Sequence, residues 1–248
     1  MQSDRSVSRS LSARFFRWHR WLGYLVALQV LAWVLGGALF AWLPFQAWVK
    51  SAESVGKPSL SLPADWAQVL ARSPLASQPV TALSAVATAS GPAFKLRTAQ
   101  GEQWLLTTGA PLTAPSAAEV GRFAQSIYKG AGTLQAVEKL AQVPTRWLMV
   151  RELGARRDVW VARFDDRLHT RLYFSGAQGE FITARSDAWV LYDFFWRLHV
   201  MDYSEGEDFN HPLIKGASLL ALGLVLTGLV MLALALRRAW RRKASSQH

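Results

Sequence analysis

The chain has 248 residues, 51% of them hydrophobic, with 12 tryptophans and no cysteine, which excludes a disulfide framework, a cysteine nucleophile, an iron–sulfur cluster and thioether-linked haem. Its net charge of +11 invites a nucleic-acid reading, but five arginines against Asp4 lie in residues 1–20, six cations and no acid in residues 212–248, and 17 basic against 16 acidic residues in 21–211. The basicity therefore marks the two ends of the chain and forms no cationic face, so nucleic acid is not an expected partner.

Residues 1–20 read as a basic arm, Ser-rich and unstructured over 1–13, lying near anionic lipid. From Trp21 to Leu43 runs an apolar stretch of 23 residues in which Gln29 is the only strongly polar side chain. At roughly 1.5 Å per residue such a helix crosses a hydrocarbon core of about 30 Å. Trp18 and Trp21 mark one interface, Trp42 and Trp48 the other, and Pro44 the exit, placing a transmembrane helix at 21–45. The run exceeds the roughly 7–15 residues of a signal-peptide core, and no small-x-small site closely follows Phe45, so it reads as an uncleaved anchor. A polar amide inside it, Gln29, points to a helix–helix contact or a polar ligand.

Residues 46–63 read as a Ser/Pro linker. A first helix-and-sheet unit, 64–115, has a helix over Ala64–Arg72 and short strands within Pro92–Thr113, broken at Gln100-Gly101 and Gly109. A second unit, 116–185, opens on Ser116 with Glu119 three residues later, a capping box for a helix to about Tyr128. Thr133 is the expected cap of a further short helix, Leu134–Ala141. RWLMVREL, RDVWVARFDD, HTRLYFSG and GEFITAR then read as strands separated by turns at Gly154, Asp165-Asp166 and Gly176–Gly179. The order helix then sheet, met twice, suggests a duplicated unit.

Residues 186–211 form a juxtamembrane helix and an acidic loop. Ser186 is the expected cap, Asp187 favours the first turn, and Trp189, Tyr192, Trp196 and His199 share one helical face. A second span, 212–236, follows, entered through Pro212 and capped by Asp208 or Asn210; between Gly216 and Leu236 its only polar side chains are Ser218 and Thr227. Small residues at Ala217/Ala221 and Gly223/Thr227 suit close packing on the first span or on a second copy, leaving a homodimer open. The basic tail, 237–248, together with the basic arm, places both termini in the cytoplasm by the positive-inside rule. The expected fold is thus an α+β membrane protein whose two transmembrane helices flank a helix-plus-antiparallel-sheet domain on the far side.

The segment RWHRWLGYLVALQVLAWVLGG resembles the first transmembrane helix of the PepSY-associated transmembrane family: a His before Arg-Trp-Leu-Gly, a Gln further in, and a Trp before a small pair. His19, Gln29, Trp33 and Gly36-Gly37 match this pattern, with Gly36 where relatives often carry Ser. FDDRLHTRLYFSGAQGEFITARSDAWVLYDFFWRLHVMDYSEGEDFNHPL is similar to the end of a PepSY domain running into the next span. The resemblance implies a bacterial inner-membrane protein with a periplasmic domain. Larger members resemble ferric-siderophore reductases with four or more spans and b-type haem, whereas this chain has two spans and no flavin or nicotinamide module. It implies b-type haem as cofactor and another membrane or periplasmic redox protein as partner.

The candidate haem or metal ligands are His199 and His211, with Trp196 lining the site; His19 and Gln29 complete the cofactor-binding set. Neutral imidazole is a suitable axial ligand and a b-type haem needs no cysteine. His19 lies at the opposite end of a span and cannot share an iron with the other two, so a bis-His site requires His199 with His211, or like residues of two protomers. The alternatives are His199 bonding Asp202 with His211 capping the second span, and a hard-cation site of Asp202, Glu205, Glu207, Asp208 and His211. A non-catalytic PepSY module that docks a periplasmic partner is the competing function. No nucleophile–base pair, phosphate loop or zinc spacing stands out.

Overall fold

A computed structural model of the chain describes residues 3–51, 53–75, 77–203, 208 and 210–245. They form two compact units, one of residues 43–194 and one of residues up to Trp42 with those from Phe195 onward.

The second of these is built on two long helices, α1 (Ser3–Trp42) and α5 (Pro212–Ser245). Within them Arg14–Trp42 and Pro212–Arg241 are long and apolar enough to cross a membrane, with mean hydropathies of 2.0 and 2.7. Only 11% and 0% of these windows are buried by the rest of the chain, which sets them apart from the core helices of a soluble fold. α1 and α5 meet through small residues. A Cβ on Gly23 would lie 3.8 Å from Leu224, and one on Gly223 3.6 Å from Leu22, so the small position anticipated at Gly223 does face the first helix. The arm expected to be unstructured is helical from Ser3, continuing α1 without a break.

The unit of residues 43–194 opens with a single π turn, Phe45–Val49, after Pro44. α2 (Trp66–Arg72) precedes an antiparallel sheet, β1 (Val80–Thr88), β2 (Gly91–Thr98) and β3 (Gly101–Leu106), in that order. α3 (Ala117–Ile127) precedes a four-stranded antiparallel sheet of β4 (Leu134–Gln142), β5 (Arg157–Phe164), β6 (Arg171–Ser175) and β7 (Phe181–Arg185). α4 (Asp187–Val200) follows and runs unbroken through the boundary between the two units. The α3 capping box is present: Ser116 Oγ accepts from Glu119 N, and Glu119 accepts in return from Ser116 N at 2.8 Å.

Strand alternation sorts the core onto two faces of the larger sheet. Ala162, Phe164, Leu172 and Phe174 point to α3, where Val120, Ala124 and Ile127 cover them. Val159, Val161 and Tyr173 point the other way, against Leu140, Val143, Leu153 and Ile182. Each large side chain fully buried here, such as Phe174, contributes roughly 1.5–3 kcal/mol. The sheets touch at their turns, where Ala89 N donates to Gly179 O at 3.0 Å. Gly179 has φ +65°, and a Cβ there would fall 2.8 Å from that of Ala89, so the turn requires glycine.

Within this unit four readings of the sequence differ from the structure. Leu134–Gln142 is a strand, where a helix over Leu134–Ala141 was expected behind Thr133 as its cap. A bulge between Leu134 and Ala136 offsets the alternation, so that Leu134 opposite Phe164 and Val137 opposite Ala162 both face α3. RWLMVREL is a tight loop and no strand, because Trp147 and Leu148 turn back with φ of 45° and 66°. β1 was not anticipated; five of its first residues are exposed, which leaves little apolar pattern to read. Finally, the stretch 46–63 is not free along its length: Val55 bridges Tyr128, Gly56 N donates to Ile127 O at 2.7 Å, and Val49 and Ser51 are buried.

Candidate functional site: the last turn of α4 and its aromatic box

Helix α4 starts where Ser186 Oγ accepts from Trp189 N at 3.1 Å and donates to Trp48 O at 2.7 Å, with Asp187 favouring the positive end of the helix dipole. It stops at Met201, whose φ of 57° is the left-handed conformation that terminates helices. The final carbonyls of a helix have no partner within it. Here three consecutive ones are capped by side chains. Gln29 Nε2 donates to Leu198 O, Trp33 Nε1 to His199 O and His211 Nε2 to Val200 O, each at 2.8 Å.

The two α1 donors lie four residues apart on the face that also carries Gly36 and Phe40. Gly36 is buried, and a Cβ there would sit 3.8 Å from Phe195, so the small residue lets α4 approach. Within this frame the His199 imidazole is boxed by three rings. Trp196 lies parallel to it at 9° with centroids 6.2 Å apart, and Trp33 and Phe40 lie at 6.1 and 6.4 Å. His199 Nδ1 is buried without a hydrogen-bond partner among the described residues. A buried imidazole nitrogen left unpaired is rare enough to demand an explanation, and a ligand is one of the few available.

Of the five candidate residues, four gather here: Gln29 and His211 cap the helix end, Trp196 and His199 form the box. His211 caps α4, where the second span was one expected target. The alternative bond from His199 to Asp202 is not made through Nδ1, and the Asp202 carboxylate accepts from Asp208 N at 3.2 Å. The expected caps of the second span remain outside its first turn: Asp208 accepts from Asn210 N at 2.8 Å, and Pro212 opens the helix.

His19 stands apart, on a different stretch of α1. Its Nδ1 lies 3.1 Å from Leu224 O and 3.0 Å from Thr227 Oγ1, so it carries the proton and donates to α5. Gly228 lies under the ring, since a Cβ there would be 3.2 Å from His19 Cε1. A groove of about 340 Å³ beside the imidazole is lined by Phe16, Met231, Ala235 and Arg238. From His19 to Trp33 is 14 residues of helix, roughly 21 Å, which keeps the two imidazoles on separate sites.

A haem iron needs an imidazole nitrogen with a free lone pair. His199 Nδ1 is orphaned and buried among aromatic rings, and the donation from His211 Nε2 leaves its Nδ1 unprotonated in the neutral ring. Among the described residues His199 and His211 are therefore the ones whose imidazole nitrogens could hold such a group. No group of three or more His, Asp or Glu side chains converges among the described residues; Glu205 and Glu207 of the proposed cation loop lie outside them.

No family model, curated protein or solved structure matches the chain.

One buried cluster escaped the sequence reading. Glu152, 2% exposed, accepts from Arg171 Nη2 at 2.6 Å, from Arg171 Nε at 3.0 Å and from the Tyr173 hydroxyl. Arg171 Nη1 reaches Asp187 Oδ1 at 2.9 Å, and His169 Nδ1 meets Asp187 Oδ2 at 2.8 Å. Burial, then the Glu152 charge, pushes the Tyr173 hydroxyl up, so it stays a donor. These residues span positions 152–187 with no local spacing to join them. The cluster ties the loop after β4 to the start of α4, and no reactive nucleophile belongs to it.

Proposed function

We propose that the chain is a two-pass bacterial inner-membrane protein of the PepSY-associated transmembrane type, with both termini cytoplasmic and its α+β unit in the periplasm. Its role in this reading is that of a b-haem-holding electron-transfer or accessory subunit for periplasmic redox chemistry, such as ferric-siderophore reduction, working with another redox protein. The two helix-and-sheet halves are then copies of one ancestral unit.

The observation that carries the reading is His199 Nδ1, buried and unpaired inside a box of Trp33, Phe40 and Trp196. Bound haem would supply one-electron transfer. Gln29, Trp33 and His211 hold the backbone carbonyls on either side of the imidazole and so fix its position. Phe40 and Trp196 limit water access to the ring. His199 would hold the group, with His211 or a residue of a second copy as the other ligand.

The test is the visible spectrum of the full chain purified after haem-replete expression. A Soret band is expected, lost in His199→Ala and kept in His19→Ala. A chain that never shows the band overturns the proposal.

One observation favours a second reading, a non-catalytic binding module. An apolar groove of about 390 Å³ runs between α2 and the edge strand β1, lined by Leu70, Leu75, Val80, Leu83 and Leu96. In that case Leu83→Glu abolishes association with the partner, while His199→Ala leaves it intact.

A further inference from the structure

α1 and α5 run antiparallel, since His19 meets Thr227 while Gly23, one turn further on, meets Leu224. Beside His19 the groove of about 340 Å³ is lined on α1 by Phe16 and His19 and on α5 by Gly228, Met231, Ala235 and Arg238. The α5 residues recur at intervals of three and four, so they share one helical face. Every one of these side chains belongs to the unit of the two long helices.

Two polar groups reach this otherwise apolar groove, one wanting a donor and the other an anion. Thr227 Oγ1 donates to Gly223 O or Leu224 O, each at 2.9 Å, so its proton is spent and it accepts from His19 Nδ1. A neutral imidazole that donates through Nδ1 keeps a lone pair on Nε2. Nε2 has no hydrogen-bond partner among the described residues. Residues 14–42 and 212–248 contain no Asp or Glu, so these stretches offer Arg238 no counter-ion. A helical side chain leaves its backbone tilted toward the helix N-terminus. Arg238 therefore leans back over Ala235 into the groove, whereas Arg14, on the antiparallel α1, leans away from it.

We infer that the groove holds one anionic glycerophospholipid of the membrane the two helices cross, its phosphodiester on the Arg238 guanidinium and a headgroup hydroxyl donating to His19 Nε2. The inference rests on the two-span reading above. Charge and depth select the occupant. Phosphatidylglycerol meets both needs in one molecule, since its glycerol hydroxyls stand next to its phosphate. A free inorganic anion would leave the apolar walls of Phe16 and Met231 uncovered, and an acyl chain covers them. Trp18 and Trp21, 64% and 65% exposed on either side of His19, mark the level of the headgroups. At about 340 Å³ the groove lies near the lower end of the roughly 300–1,000 Å³ of small-molecule sites, room for a headgroup and the start of one chain.

The test compares lipids of equal charge. The full chain is reconstituted with phosphatidylglycerol or with phosphatidylmethanol, which keeps the anionic phosphodiester and lacks the hydroxyl, each as a minor component in phosphatidylcholine. Retained lipid is read by native mass spectrometry. One phosphatidylglycerol per chain is expected to stay bound, several-fold more often than phosphatidylmethanol. His19→Phe should erase that preference. Arg238→Gln should lower retention of both lipids several-fold, while Arg14→Gln, an equal loss of charge at the same end, should change it little. Equal retention of the two lipids by the unaltered chain overturns the inference without recourse to any variant. So does an equal loss in Arg14→Gln and Arg238→Gln, which marks unspecific attraction of a basic end for anionic lipid. Flotation of the chain with phosphatidylcholine vesicles after an alkaline carbonate wash reports the spans independently. A chain that floats without preferring either lipid loses only the lipid site; one that does not float loses the two-span reading and the site with it.

Discussion

Gln29, Trp33 and His211 each satisfy one carbonyl at the end of α4, and each is therefore expected to behave as a structural donor before it acts as anything else. Gln29→Met keeps the volume and removes the donor, leaving Leu198 O without its partner, for a loss of about 1–3 kcal/mol. The expected outcome is a lower melting temperature of the detergent-solubilised chain, with a smaller drop for Gln29→Glu at acid pH, where a protonated carboxyl can donate. Trp33→Phe should lower it comparably and loosen the box around His199. At this scale the sequence was informative about which residues matter and less so about what they do. A polar amide in an apolar run announces a contact, and Gln29 has one. Nothing in the spacing of Trp33 distinguishes an interfacial tryptophan from one whose indole caps a carbonyl 166 positions away.

Among the elements, the start of α4 carries the clearest dependence on pH. Burial opposes the charge of Asp187, yet hydrogen bonds from His169 and Arg171, with the charges of Arg171 and Arg146, hold its carboxyl below the ordinary 3.8. A carboxyl depressed in the folded state contributes stability that is complete above its unfolded value. That contribution is lost as pH falls through the folded value. Asp187→Asn is expected to reduce stability at neutral pH and to weaken the further loss on acidification below about pH 4, read by intrinsic fluorescence across an acid titration. Ser116→Ala, which breaks the capping box of α3, should lower stability by about 1 kcal/mol in chemical denaturation. That box was legible because both partners lie within one turn. β4 was not, because the bulge that puts Leu134 and Val137 on one face counterfeits helical spacing, and only the β5 ladder decides between the two. The cluster of Glu152, Arg171 and Asp187 was illegible for a similar reason: its members meet only after β6, the loop after β4 and the start of α4 have come together.

For the whole molecule, two long apolar helices at the ends of an α+β chain were plain from hydropathy and the placement of charge, which are averages over many residues and survive local errors. The proposed orientation is open to direct measurement. In intact spheroplasts a membrane-impermeant maleimide should label Leu83→Cys, whereas Arg238→Cys should react only after lysis; the reverse pattern would invert the topology. Three side-chain donors on the last carbonyls of α4 leave its end little freedom to fray. The amides of that final turn should therefore trade their protons for deuterium slowly, and Gln29→Met should quicken that exchange.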